Sequence, residues 1–351
     1  MAIEKLRAVG SWRRVIGQPG ALRAALAGNS QFLITLAIIA IASAFMLSQG
    51  SGFAVRVIQL SAIFAILAVS LNLVIGYTGL LSLAHVGFFG IGAYSVAVLT
   101  THPAYEQIEG HIQYFDWPFF AALPVGMLVA GVVALFVGGV LSRFRDDIFV
   151  LVTFGLAVIA HRVFLFWLPV TRGAFGIHAI EKPVVFGYEF SGKTEFMLLT
   201  VGFLVLVLIV SWLVVSSSFG RVLMAIREDE GAIEVFGYKA RNYKLTIWVI
   251  SAMMAAVAGG LSASEQTYID PQSFLLLESI FMVCIVILGG LASLLGSVLG
   301  ALVFVLLMEG MRFIDFIPDA LVGQGRLAIL GILIVLLMAF RPQGLVGRYK
   351  L

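Results

Sequence analysis

The densest group of charged side chains in this sequence lies within residues 216–244, between two long apolar runs. Basic side chains surround a central group of acids, and the set comprises Arg221, Arg227, Glu228, Asp229, Glu230, Glu234, Lys239, Arg241 and Lys244. A segment that carries both signs of charge can dock against a partner protein, because complementary charges fix the register of a docked surface. The alternative is an ordinary solvated loop, whose charges serve only its solubility.

The order of residues within this segment predicts a short helix from about Glu228 to Phe236, because negative charge is favourable near a helix N-terminus. Gly237 is placed to end that helix as its C′ residue, a position that glycine fills most often. Ile233, Val235 and Phe236 would give the helix apolar anchors. We therefore expect a short amphipathic helix that docks against a partner.

Residues that could support catalysis or bind a metal are scattered elsewhere in the chain. The five histidines do not have the spacing of metal ligands. The one cysteine, Cys284, lies in an apolar run, so the sequence offers no disulfide framework. A membrane enzyme would need a cluster of Asp, His or Ser near one interface, and we find none. We therefore expect no metal, no cofactor and no catalytic residue in this chain.

Residues 187–194 formally fit the glycine-rich pattern of a phosphate-binding loop, with Gly187, Gly192, Lys193 and Thr194 at the required positions. We reject a nucleotide site there because residues 196–215 are too apolar to belong to a soluble nucleotide-binding domain. The chain also leaves no stretch of about a hundred residues for an ATPase fold.

The composition places these residues in a membrane protein. Of 351 residues, 61% are hydrophobic and only 12% are charged, and the mean hydropathy is +1.07. Such a chain predicts an all-α polytopic membrane protein. The net charge of +3 does not indicate a nucleic-acid partner, because in such a protein basic residues mark one side of the membrane.

Apolar runs of about 20 residues predict the spans. They lie near residues 31–49, 55–75, 84–100, 118–141, 148–168, 196–215, 245–263, 276–291, 297–313 and 326–340. The runs 84–100 and 276–291 are short enough to be broken or re-entrant, so we expect about 8–10 transmembrane helices. One transmembrane domain then covers residues 31–340, with a basic N-terminal segment at 1–30, the charged loop at 216–244 and a C-terminal tail at 341–351.

Most of the 22 lysine and arginine residues fall on the side of this arrangement that holds both termini and residues 216–244. The positive-inside rule therefore predicts that this side is cytoplasmic. An even number of spans is required, and eight spans with two re-entrant pieces satisfy the rule almost as well as ten.

Two glycine-rich stretches, residues 76–94 and 288–301, could line a translocation path, because non-helical backbone at membrane depth lies against protein or a water-filled cavity. Close helix packing through small residues is the alternative. The two stretches share a Gly-Leu-x-Ser-Leu pattern, which hints at an internal repeat. Glu278 is a further candidate, because ionisable groups within spans are costly. The candidate path residues are Gly79, Ser82, His85, Gly87, Gly90, Glu278, Gly289 and Gly290.

Residues 227–245 resemble the cytoplasmic coupling loop of the membrane subunits of branched-chain amino-acid ABC importers, the LivM-type family. Residues 76–94, 143–153, 288–301 and 340–347 also resemble segments of that family, so the resemblance extends from about Leu71 to Gly347. Gly231 stands where the family often has a larger residue. Residues 171–177 depart from the commoner glycine-rich form, which leaves the solute open.

This resemblance implies a permease subunit that forms half of a translocation path in a bacterial inner membrane. The implied partners are a second, different permease subunit, two cytoplasmic ATP-binding subunits, an extracytoplasmic solute-binding protein and membrane lipid. The residues that would couple to the ATPase are Arg227, Glu228, Asp229, Glu230, Ile233, Val235, Phe236 and Gly237. Alternatives are the same architecture carrying urea, a short amide or an aromatic acid, or an ion-coupled secondary transporter.

Overall fold

A computed structural model describes residues 30–48, 52–102, 114–142, 146–185, 188–190, 192–310, 331–332 and 344–346. This part of the chain is mainly helical. Its α-helices are α1 (Ser30–Ser48), α2 (Gly52–Thr78), α3 (His85–Thr100), α4 (Phe119–Leu141), α5 (Asp146–Phe166), α6 (Leu168–Thr171), α7 (Lys193–Ser216), α8 (Ser218–Glu228), α9 (Glu230–Val235), α10 (Ala240–Gln266), α11 (Leu276–Gly289) and α12 (Leu294–Gly310).

Helix length and composition confirm the prediction of an all-α polytopic membrane protein. Within the described residues, five helices are long and apolar enough to cross a membrane: α2, α4, α5, α7 and α10. The helices α3, α11 and α12 are shorter and also apolar. Each predicted run up to residue 313 coincides with a helix. Most of the run 326–340, and both termini, lie outside the described residues.

Helix α2 forms the centre of the bundle, and nearly every residue from Ala54 onward is buried. It packs against α7, α10 and α12. The helices α3 and α10 approach each other closely at glycines, because a Cβ added at Gly92 would meet the backbone of Ala256, and one added at Gly259 would meet the backbone of Phe89. Small residues allow such backbone contact in membrane bundles.

Two breaks interrupt the helices around α2. The chain leaves α2 at Gly79, which has a φ of 78°, and α3 begins only at His85. The His85 ring lies 2.7 Å from the hydroxyl of Ser70. Because Ser70 lies about 12 Å before the end of α2 at Thr78, α3 begins inside the bundle and not at its end. The second break separates α11 from α12 and also begins at a glycine of positive φ.

Short strands and 3₁₀ turns gather at the other end of α10 from α9. This helix runs for 27 residues, about 40 Å, so its ends lie on opposite sides of the bundle. Beyond Gln266, β4 (Tyr268–Ile269) pairs antiparallel with β1 (Ile177–His178), and Ile177 lies opposite Ile269. A second pair joins β2 (Val184–Val185) to β3 (Tyr188–Glu189). We call this side the strand end, and the side with α8 and α9 the loop end.

Candidate coupling site and path residues

The charged loop forms two helices where the sequence predicted one. The predicted helix begins at Glu230, not Glu228, because Asp229 is extended, with φ −158° and ψ 104°. The Asp229 carboxylate accepts a hydrogen bond from the Ala232 amide at 3.0 Å, so Asp229 caps α9. Glu228 instead ends the preceding helix α8. The prediction of one helix starting at Glu228 is therefore wrong in its start.

Helix α8 was missed by the sequence analysis, although its signals are present. Ser217 caps it, since the hydroxyl accepts a hydrogen bond from the Gly220 amide at 3.3 Å. Leu223 and Ile226 are buried, whereas Arg221 and Glu228 are exposed. This spacing is that of an amphipathic helix lying on the end of the bundle.

Helix α9 ends as the sequence predicted, at Gly237. Its φ is 86°, and its amide donates to the Glu234 carbonyl at 3.0 Å. The next amide, from Tyr238, donates to the Ile233 carbonyl at 3.3 Å. These two bonds make a Schellman motif. Because Asp229 caps the other end, α9 is a closed unit of six residues, with a capping hydrogen-bond motif at each end.

The predicted apolar anchors of α9 differ in how exposed their side chains are. Val235 is 87% exposed and Phe236 is 78% exposed, whereas Ile233 is half-buried. None of the six α9 residues is fully buried. Two adjacent large apolar side chains that project outward from a capped helix are typical of a docking surface.

Other predicted coupling residues face the bundle and attach the loop to it. The Arg227 guanidinium donates to the Gly76 carbonyl near the end of α2, and its side chain packs against Gly79. Glu230 lies 2.6 Å from the ammonium of Lys244 on α10. Lys244 is only 4% exposed, so this ion pair lies largely out of water. Two charge-assisted contacts therefore connect α8 and α9 to the longest helices of the bundle.

The path candidates on α3 are mainly packing residues. A Cβ at Gly87 would touch Ala160, and one at Gly90 would meet the ring of Phe164, so both glycines let α5 approach. Gly87 also lines an apolar groove of about 520 Å³ between α3, α4 and α5. His85 is buried on Ser70, as described above.

The second glycine pair also serves close packing. A Cβ added at Gly289 would lie 2.1 Å from the Gly296 carbonyl, which brings α11 and α12 into contact. Gly290, with φ 112°, ends α11. Ser82, in the first break, is buried, and its hydroxyl has no hydrogen-bond partner among the described residues.

Asn72 joins the second break to α2 and was not predicted. Its side-chain amide donates to the Ser293 carbonyl at 3.0 Å and to the Ser297 hydroxyl at 2.7 Å. Its carbonyl oxygen accepts from the Ala292 amide at 3.1 Å. Asn72 is fully buried, so these bonds satisfy the side chain on both sides. A side-chain amide in the apolar run 55–75 was the available signal, and Gln59 is a second amide in that run.

Glu278 lies on a cavity that is also lined by α3, the helix that carries His85, Gly87 and Gly90. It occupies the first turn of α11 at the strand end and lines a cavity of about 210 Å³. The predicted path residues therefore lie at the two helix breaks, on α3 and on this cavity. Gly79, Ser82 and His85 lie at one break, and Gly289 and Gly290 lie at the other.

Comparison with known proteins identifies the same class over most of the chain. Residues 53–338 match the family described as branched-chain amino acid transport system, permease component. The chain is 34% identical to the high-affinity branched-chain amino acid transport system permease LivM of Escherichia coli, over 90% of this chain and 74% of that protein.

More distant relatives include a probable branched-chain amino acid transport permease of Methanocaldococcus jannaschii, 22% identical over 81% of this chain and 90% of that protein. The autoinducer 2 import permease LsrC of Salmonella paratyphi B is 27% identical, over 51% of this chain and 53% of that protein. No solved structure gives a significant match.

Proposed function

We propose a function for this chain that follows from its family. The chain belongs to the permease components of branched-chain amino-acid transport systems. It is a multi-pass membrane subunit that works with other subunits. We infer that it forms half of the path of an ATP-driven importer for leucine, isoleucine and valine. A second, different permease subunit completes the path, two ATP-binding subunits drive it, and an extracytoplasmic binding protein delivers the solute. The LivM relatives, which are branched-chain amino acid transport permeases, support this solute class.

The observation that carries the coupling role is the exposed pair Val235 and Phe236 on the doubly capped helix α9. A helix docks into a groove mainly through a few apolar anchors, while surrounding charges set its register. Glu228 and Asp229 are exposed at the N-terminal end of α9 and supply such charges. We propose that an ATP-binding subunit covers this pair.

The contacts of α8 and α9 with the bundle provide a route by which a movement of the docked ATPase would reach the membrane helices. A displacement of α9 acts on α10 through Glu230 and Lys244, and a displacement of α8 acts on α2 through Arg227. Both α2 and α10 also contribute to the wall of the Glu278 cavity at the strand end. A docked ATPase can therefore move the two helices that border a cavity on the opposite side of the bundle.

A pair of alanine variants tests this function in the importer reconstituted with its partner subunits. Phe236→Ala removes a proposed anchor and should weaken docking by about 1–3 kcal/mol. Phe136→Ala, on α4, removes a phenyl ring of almost equal exposure, 75%, outside the α8–α9 loop. Leucine uptake and ATP hydrolysis should fall together in the first variant and remain near wild type in the second. If uptake and ATP hydrolysis are the same in both variants, residues 216–244 are a solvated loop and do not dock an ATP-binding subunit.

We also propose that the loop end is cytoplasmic and the strand end extracytoplasmic in a bacterial inner membrane, on the basis of the lysine and arginine distribution. In a Cys284→Ser background, Gly231→Cys and Lys193→Cys should react with an impermeant thiol reagent from opposite sides. Labelling of both from one side contradicts this orientation.

A further inference from the structure

The Glu278 cavity combines one acid with a wall that is otherwise neutral. It lies between α2, α3, α10 and α11 at the strand end. Its inner wall is apolar and includes Leu67 and Phe89, whereas Ser262, Gln266 and Glu278 place polar groups around it. A cavity with a mainly apolar wall and a few converging polar groups is the usual form of a small-molecule site.

The Glu278 carboxylate is available to a ligand. Among the residues that the structure describes, no hydrogen bond or ion pair reaches this carboxylate, although the side chain is partly buried. A partly buried carboxylate without a partner is costly, because it gives up hydration without a compensating bond. An ammonium group that enters the cavity would supply that bond.

Hydrogen-bond donors lie on the same cavity. Gln266 donates from Nε2 to the Ser262 hydroxyl oxygen at 3.0 Å. A hydroxyl that accepts one hydrogen bond keeps a proton to donate, and an amide nitrogen has a second proton. Among the described residues, no other hydrogen bond uses either of these protons. The two donors suit a carboxylate, while Glu278 suits a cation.

We propose that this cavity is a transient subsite for a zwitterionic α-amino acid with an aliphatic side chain, and this inference rests on the proposed function. Glu278 binds the ammonium group, and Gln266 and Ser262 bind the carboxylate. The side chain lies on the apolar wall around Leu67. The position at the strand end places the subsite where the binding protein would release its solute.

The test measures leucine uptake by the reconstituted importer with its binding protein. Glu278→Gln keeps the size of the side chain and removes its charge, so uptake should fall about ten- to hundredfold, the value of a hydrogen bond to a charged group. ATP hydrolysis stimulated by the loaded binding protein should persist, because α8 and α9 are intact. Glu195→Gln is the matched control, since Glu195 is also an acid in the first turn of an apolar helix but lies outside the cavity.

The outcomes separate this inference from the proposed function. If wild type imports leucine and Glu278→Gln imports it equally well, the subsite is wrong and the function stands. If wild type hydrolyses ATP but imports no branched-chain amino acid, the proposed function fails.

A second measurement decides the case in which the Glu278 variant does not assemble. In a Cys284→Ser background, leucine during turnover should slow the reaction of Ser273→Cys, on the cavity, with a thiol reagent. It should leave Gln272→Cys, outside the cavity, unaffected. Equal rates at position 273 with and without leucine would overturn the subsite.

Discussion

The bundle core and the α8–α9 loop are held by different interactions. In the core, helices touch backbone to backbone at glycines, as at Gly92 against Ala256 and Gly259 against Phe89. In the loop, α8 buries Leu223 and Ile226 on the bundle, whereas the outer helix α9 depends on the Glu230 ion pair and on its caps. Arg227 adds a polar contact with α2. Packing of this kind tolerates no added volume, whereas polar contacts and caps can change without loss of the fold.

We therefore expect the core and the loop to have different roles. The core sets the relative positions of α2, α3 and α10. The loop lies against the ends of α2 and α10, and the exposed side chains Val235 and Phe236 contribute little to the stability of the bundle. Substitutions in the core should therefore remove folded protein, while substitutions of the exposed Val235 and Phe236 should mainly change the proposed coupling to ATP hydrolysis.

The largest effect is expected at Gly259. A Cβ there would lie 1.9 Å from the Phe89 carbonyl oxygen, so Gly259→Leu must separate α3 from α10 at a cost above about 3 kcal/mol. The control is Gly202→Leu on α7, where no atom of the described residues lies within 4 Å of an added Cβ. The yield and Tm of detergent-solubilised protein should drop only for the Gly259 variant. Equal Tm values would contradict the packing account of the core.

A smaller loss is expected from breaking the ion pair on α9. Glu230→Leu leaves the Lys244 ammonium buried without this carboxylate, which should cost about 1–3 kcal/mol, less than for a fully buried pair because Glu230 is 21% exposed. Glu234→Leu removes an exposed acid of the same helix and should cost below about 1 kcal/mol. Thermal unfolding of both variants measures the difference.

A double variant sharpens this result. Glu230→Leu combined with Lys244→Met removes both charges and should recover most of the lost stability, because an apolar pair can replace a buried ion pair. If the double variant is as unstable as the sum of the two single variants, the two side chains do not act as a pair.

The smallest effect is expected at the end of α9. Gly237→Ala places a side chain at a φ of 86° and should destabilise α9 by about 1–2 kcal/mol through backbone strain alone, since the surrounding space is open. Gly231→Ala, within the same helix, should stabilise it by up to about 1 kcal/mol. Amide hydrogen exchange over residues 230–238 should speed up in the first variant and slow down in the second. Exchange that is unchanged in both would show that α9 is not a closed unit.

Features that depend on residues close together in the chain could be predicted from the sequence, and features that depend on distant residues could not. Hydropathy located the helices because span length is a local property, and Gly237 was found because a helix end is local as well. The start at Glu230 was missed, since either Glu228 or Asp229 could stand before a helix and only the backbone conformation decides. The roles of Arg227 and Asn72 could not be predicted, because their partners lie 151 and more than 200 residues away in the chain.

The path candidates show the same limit. The glycine-rich stretches were correctly expected to break or thin helices, but the sequence did not indicate whether they line a path or pack. Gly87, Gly90 and Gly289 face neighbouring helices closely. Glu278 stood out in the sequence only as an acid in an apolar run, and its cavity requires side chains from four helices.

The most direct test of the central claim asks what covers Phe236 in the assembled importer. A photoreactive phenylalanine analogue is placed at position 236 and, in a separate variant, at position 136, since the two phenyl rings are similarly exposed in the isolated chain. The account predicts that position 236 crosslinks to an ATP-binding subunit and that position 136 does not. An importer that hydrolyses ATP and takes up leucine, yet gives no crosslink from position 236 to that subunit, would contradict it.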